Sequence, residues 1–124
     1  MNTPKQVEEL YKELISSDQY KFPVTGKVQV TDAKGVYIIY NEKDSVLHVG
    51  RTYRGKKGIN QRLCDHLTGT SSFRNKYLKP NKINLRENYK FRYIEIDDDA
   101  RLRGLLENLA IGKLCPVHFG TGEK

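Results

Sequence analysis

The sequence predicts a small α+β domain in which three strands, the first two an antiparallel hairpin, alternate with helices behind an additional N-terminal helix. Three observations carry this. The run Gly35-Val36-Tyr37-Ile38-Ile39-Tyr40 is apolar on both faces and β-branched, the pattern of a central strand covered on both sides. Val46-Leu47-His48-Val49-Gly50 follows after the short polar link Asn41 to Ser45, so the two runs form a hairpin. Three other segments carry apolar residues at helical rather than strand spacing.

The first of these places Val7, Leu10, Tyr11, Leu14 and Ile15 on one stripe. Thr3 is the expected N-cap, Pro4 suits the first helical position, and Gln6 completes a capping box. Residues 18–33 are rich in turn formers, with a short strand expected at Lys27 to Val30. After the hairpin and a glycine-bounded basic loop, Ile59, Leu63 and Leu67 recur at i, i+4 and i+8 and predict a helix from Ile59 to Leu67. Residues 68–88 are polar and basic, with one helical turn expected at Ser72 to Leu78. Lys90 to Ile96 is the third strand. Asp97 to Asp99 end it and supply a cap for the last helix, whose stripe is Leu102, Leu105, Leu106 and Leu109 and whose stop is Pro116. Gly104 and Gly112 each cost about 1 kcal/mol against Ala in a helix interior, and are expected to admit close backbone packing. Residues 1–33 are read as a helix and connector packed on a domain formed by residues 34–124.

The 124 residues suit one domain with its own core. Charged residues reach 30%, yet eight Tyr and four Phe supply bulky core material. No apolar run approaches the ~20 residues that span a bilayer, and Met1 to Ser17 does not read as a signal peptide. Cys64 and Cys115 lie far apart, outside any metal-binding spacing, and are expected as buried free thiols. A reducing, cytoplasmic setting is the expectation. The net charge is +7. From Arg51 to Lys90 there are eleven Lys or Arg against two acids, Asp65 and Glu87, so this segment carries +9 and the remainder is slightly acidic. A basic block of this kind favours polyanions through counterion release.

Several polar residues border apolar stripes. Arg62 and His66, four apart, share one helix face beside the Ile59/Leu63/Leu67 row. Glu107 borders the stripe of the last helix. A half-buried carboxylate there needs a paired cation or a metal, and a structural Arg62–Glu107 ion pair is the plain alternative. Tyr37 and His48, on neighbouring strands, read equally as core residues or as proton carriers. The stretch Gly50 to Lys57 nearly fits a phosphate-binding P-loop, but Lys57 stands where Ser or Thr must hold Mg²⁺, and no parallel βαβ unit surrounds it.

Taken in order, these pieces resemble the GIY-YIG nucleases. Gly35-Val36-Tyr37 and, ten residues on, His48-Val49-Gly50 resemble the paired tripeptides of that family, with Arg51-Thr52 following. Arg62 matches the position of the family's catalytic arginine, and His66 one where members carry His or Tyr. Leu106-Glu107-Asn108 resembles the metal-binding glutamate segment, with Cys115-Pro116 at a similar interval. The likeness runs from about Lys34 to Phe119. Two positions depart from it: His48 replaces a Tyr, and His118 replaces an Asn.

The resemblance implies a three-stranded antiparallel sheet flanked by helices and a metal-dependent endonuclease that hydrolyses DNA phosphodiesters. Glu107 would hold Mg²⁺ or Mn²⁺, and Arg62 would clamp the phosphate with its planar fork. Tyr37 would position or deprotonate the attacking water, with His48 sharing that role. His66 would contact phosphate or relay a proton. Arg51, Arg54, Lys56 and Lys57, with Arg74 and Lys76, would hold the DNA backbone. Target specificity would come from loops, a homodimer or an accessory protein. The two histidine substitutions motivate an alternative, a nuclease-like module that grips DNA without cutting it.

Overall fold

Gly35–Tyr40 (β2) is buried at all six positions, as a strand covered on both faces must be. A computed structural model of the chain describes residues 3–53 and 57–119. The order is α1 (Thr3–Ser16), β1 (Tyr20–Lys21), β2, β3 (Val46–Arg51), α2 (Ile59–Leu67), a π-helical turn (Arg74–Leu78), β4 (Lys90–Glu95) and α3 (Ala100–Leu114). The fold is α+β, and all strand pairs are antiparallel, in the order β1-β4-β2-β3.

The sheet therefore has four strands, one more than expected. The extra strand is Tyr20–Lys21, and no strand forms at Lys27 to Val30. Tyr20 pairs with Phe91 and stacks on the rings of Phe91 and Tyr93, at 5.6 and 5.8 Å between centroids. Aromatic cross-strand pairs of this kind stabilise a sheet edge. The 27–31 stretch is held differently. The Asn60 amide oxygen accepts from the backbone N–H of Val30 (2.7 Å) and Thr31 (3.0 Å), which removes those donors from any ladder.

Alternation along β2 builds two cores. Tyr37 and Ile39 face α2 and the π-helical turn, with Phe22, Leu63, Phe73, Leu85 and Phe91. Val36, Ile38 and Tyr40 face α1 and α3, with Leu14, Leu102 and Leu106. The β2–β3 register slips between Ile39 and Tyr40, a β-bulge. Around it Leu47 joins the first core although Val49, two residues on, joins the second.

The helices begin and end close to where the sequence places them. Asp99 caps α3 by accepting from the Leu102 N–H at 2.9 Å. The first helix already includes Thr3, so a cap at that residue is not what starts it. Ile15 is 40% exposed and lies off the buried stripe of Val7 and Leu14. Cys64 is half-buried, and Cys115 is exposed rather than buried because it sits beyond the last turn of α3. Among the described residues no helix is long and apolar enough to cross a membrane.

Candidate active site

The site grows from the edge strand β3, which has β2 on one side only. Its other edge is met by the chain leaving α3. Cys115 adopts a left-handed conformation (φ 48°) that turns the backbone. The Val117 N–H then donates to the Val46 carbonyl (3.1 Å) and the His118 N–H to the Leu47 carbonyl (2.8 Å). This pairing sets His118 beside His48.

A cavity of about 400 Å³ opens here, lined among others by His48, Arg51, Tyr53, Arg62, Glu107 and His118. Five separate pieces of sequence supply these groups: β3, the loop after it, α2, α3 and the segment beyond α3. Arg51 Nη1 donates to Glu107 Oε1 at 2.9 Å. The Arg62–Glu107 pair expected as an alternative is thus replaced by Arg51–Glu107. Burial raises the Glu107 pKa above the ordinary carboxylate value, while the charges of Arg51 and Arg62 pull it back. Arg62 Nε is buried with no partner among the described residues, as are Nε of Arg92 and Arg103, which do not line this cavity. An unsatisfied buried guanidinium donor is a costly arrangement, and because it recurs at Arg92 and Arg103 it does not by itself mark a ligand position.

Behind the cavity runs a hydrogen-bonded chain. The Tyr37 hydroxyl and His66 Nε2 are 2.6 Å apart, His66 Nδ1 and Ser71 Oγ 2.7 Å, and Ser71 Oγ accepts from the Arg74 N–H at 3.1 Å. Both Tyr37 and His66 are fully buried. Burial pushes the Tyr37 pKa well above the ordinary phenol value, against the opposing charge and hydrogen bond of Arg62. Burial likewise holds His66 well below the ordinary histidine value. Both are therefore neutral near pH 7. Gly50 faces Tyr37 across the β2–β3 ladder, and an added Cβ there would overlap the phenol oxygen. The glycine of the second tripeptide is the space that the tyrosine of the first one fills.

His48 is pushed down to about 3, chiefly by burial, with the charges of His118 and Arg62 adding to the effect and a hydrogen bond to the His118 backbone opposing it. Its ring stacks on Phe73 at 4.3 Å and 11°. All three histidines of the chain gather here: His66 and His118 each lie 5.2 Å from His48, centroid to centroid.

The expected residues separate into groups. His48, Arg51, Arg62, Glu107 and His118 meet in the cavity; Tyr37 and His66 stand one layer behind it. Lys57 lines an adjoining cleft with Tyr53 and Arg62. Arg74 is turned away, with Nη1 bonded to the Gly69 carbonyl at 2.9 Å, and Lys76 is exposed. Arg54 and Lys56 lie outside the described residues. Sequence reasoning missed Tyr53, whose ring lies beneath the guanidinium groups of both Arg51 (5.2 Å) and Arg62 (5.7 Å). An aromatic residue between Arg51 and Arg54 in a basic block was the available signal. Ser71 and Phe73 sit in a stretch without periodicity and left none.

The donor set can be tested against Mg²⁺ or Mn²⁺. Among the described residues no group of three or more His, Cys, Asp or Glu is arranged around a common metal position. Glu107 presents one carboxylate to the cavity, with Oε1 on Arg51. A hard cation that keeps its own waters and takes one or two carboxylates plus substrate phosphate fits this set; a cation needing a full protein cage does not. No protein-family model matches the chain, and no curated protein matches it at a significant level.

Proposed function

We propose that the chain is a divalent-metal-dependent DNA endonuclease of the GIY-YIG type. The observation that carries this reading is the single cavity that gathers Glu107, Arg62, Arg51 and His48 from separate elements. Residues that meet only through the fold, and that combine a carboxylate, two guanidiniums and a neutral imidazole, have the chemistry of phosphodiester hydrolysis. The basic segment from Arg51 to Lys90 supports DNA as the polyanion.

Glu107 is the residue that would hold Mg²⁺ or Mn²⁺. Such an ion, when bound, supplies Lewis-acid stabilisation of charge on the phosphate and leaving oxygens. Arg62 lines the cavity, binds a non-bridging phosphate oxygen and meets the charge that builds there. Arg51 and Lys57 hold the neighbouring backbone. His48 lines the cavity, and where the negative charge of a bound phosphodiester offsets the burial and neighbouring charges that hold its pKa down, it takes the proton as the water oxygen bonds to phosphorus and the bond to the leaving oxygen breaks. The leaving oxygen recovers a proton from solvent. Tyr37 acts one layer back: as a protonated phenol it anchors His66 and fixes the wall of the cavity.

Incubation with supercoiled plasmid in Mg²⁺ or Mn²⁺ tests the reading. Nicking that EDTA and Arg62→Ala both suppress is the expected result, with the Arg62 loss on the scale of about 10²-fold to 10³-fold for one preorganised donor. Salt-sensitive DNA binding with no cleavage of plasmid or branched DNA would select the non-cutting module instead. The Arg51–Glu107 bond favours that second reading to the extent that it neutralises the carboxylate and leaves a basic groove.

A further inference from the structure

Arg74, expected from the sequence to hold DNA, is instead one of three cations around a second pocket. Arg74, Lys79 and Arg86 line a space of about 270 Å³ together with Thr68 and Asn84. It shares no lining residue with the cavity that holds Glu107 or with the cleft that holds Lys57. No Asp or Glu lines it, and none of the three cations forms an ion pair among the described residues. Cations gathered without a carboxylate repel one another, and a bound anion relieves that cost.

Bonds to neutral acceptors hold the pocket in shape. Arg74 Nη1 donates to the Gly69 carbonyl at 2.9 Å, and Arg86 Nη1 to the Pro23 carbonyl at 3.1 Å. Each tether uses one guanidinium N–H and leaves the charge and the other donors. The Asn84 amide oxygen accepts from the Arg86 backbone N–H at 3.0 Å, so its NH₂ group is left as a donor. Buried Leu67, Leu78 and Leu85 also line the space, and an apolar wall strengthens the pull of the cations on an anion. Loop tethering accounts for where the two arginines lie. It does not account for Lys79, whose exposed side chain ties no segment down.

We infer that this pocket binds a phosphate dianion, held by the remaining N–H groups of Arg74 and Arg86 and by Lys79 as a point charge. The volume equals the liquid share of roughly nine waters, which admits a tetrahedral anion with part of its hydration shell. Three cations match a dianion better than the single charge of an internal phosphodiester. The ligand is therefore a terminal phosphate of a nucleic-acid strand or a free phosphate. The site goes beyond the nuclease reading and needs neither a metal nor cleavage.

The probe is inorganic phosphate at about pH 8, where it is largely the dianion, with sodium chloride at equal ionic strength as the control. Backbone ¹H–¹⁵N correlation on the full chain should show saturable shifts at Thr68, Asn84 and Arg86, with a Kd on the order of 1 mM. Lys79→Gln removes the cation that tethers nothing, so it should leave the fold intact. It should weaken phosphate binding by about 10-fold to 10²-fold, the scale of one lost charge-assisted hydrogen bond. A 5′-phosphorylated oligonucleotide that binds more tightly than its 5′-hydroxyl form, with the advantage lost in Lys79→Gln, would support the site and identify a strand end as the source. Equal binding of the two forms beside saturable shifts with inorganic phosphate would support it and identify free phosphate. Shifts that do not saturate, that chloride reproduces, or that survive Lys79→Gln undiminished would overturn the inference.

Discussion

Arg51 reaches Glu107 along the surface of α3 because residue 104 has no side chain. Nη1 of Arg51 lies 2.9 Å from Glu107 Oε1, and a Cβ added at Gly104 would come within 2.9 Å of the same Nη1. The glycine that costs α3 helix propensity thus makes room for the guanidinium that neutralises its carboxylate. Gly104→Ala should displace the flexible end of Arg51 while gaining up to about 1 kcal/mol in helix propensity. The partly exposed ion pair it disturbs is worth less than that, about 0 to 1 kcal/mol. Denaturant unfolding should therefore show a variant equal to or more stable than the parent. A clear loss of stability would mean that the glycine serves backbone packing instead.

Gly50 and Tyr37 make the opposite case. A Cβ at residue 50 meets ring carbons of Tyr37 as well as its oxygen, in a fully buried site. Gly50→Ala should cost about 1 to 3 kcal/mol by overpacking. Tyr37→Phe should cost about 1 to 3 kcal/mol by leaving His66 Nε2 without its partner. Because the ring carbons remain, Tyr37→Phe should not rescue Gly50→Ala. Rescue in the double variant, measured by unfolding midpoint, would contradict this packing.

Acid should destabilise the fold earlier than its carboxylates alone explain. His48 and His66 are held neutral in the folded state by burial, below the ordinary value of 6.5. As pH falls through 6.5 the unfolded chain takes up these protons and the folded chain does not. Stability is full above that value and is lost progressively toward about 3, where His48 titrates in the fold. Glu107, raised by burial, acts in the opposite sense at the lower end of this range. Urea midpoints should fall between about pH 7 and about pH 5, and His48→Gln should flatten the slope. Midpoints that stay level would show the histidines to be charged in the fold.

DNA binding should depend on the side of the cavity where Lys57 sits. Lys57→Ala should weaken binding and reduce the slope of log affinity against log salt by about 0.9, one phosphate contact. Arg74 donates to the Gly69 carbonyl, away from the cavity, so Arg74→Ala should change the slope less. A slope moved by Arg74→Ala but not by Lys57→Ala would put DNA on the other face.

Much of the architecture was legible because the helices carry apolar stripes and the central strand is apolar on both faces. The period of Ile59, Leu63 and Leu67 gave α2 its bounds, and the two-sided run at Gly35 marked the central strand. Arg62 and Glu107 were legible as residues bordering those stripes, and the cavity joins them. What escaped notice depends on contacts between distant residues. β1 has two residues, too few to show a period, and exists through Tyr20 on Phe91. The 27–31 stretch has strand-like composition, but Asn60 bonds its N–H groups. The meeting of His48 and His118 needs the left-handed turn at Cys115 and the free edge of β3, neither of which sequence spacing expresses.

The central claim is that a carboxylate in this cavity enables the cutting of DNA that the basic residues hold. Cleavage and binding by the parent and by Glu107→Ala, measured on the same plasmid with Mg²⁺ or Mn²⁺, test it most directly. The account predicts that the substitution abolishes nicking and leaves DNA affinity nearly unchanged. Nicking that survives in Glu107→Ala would contradict it.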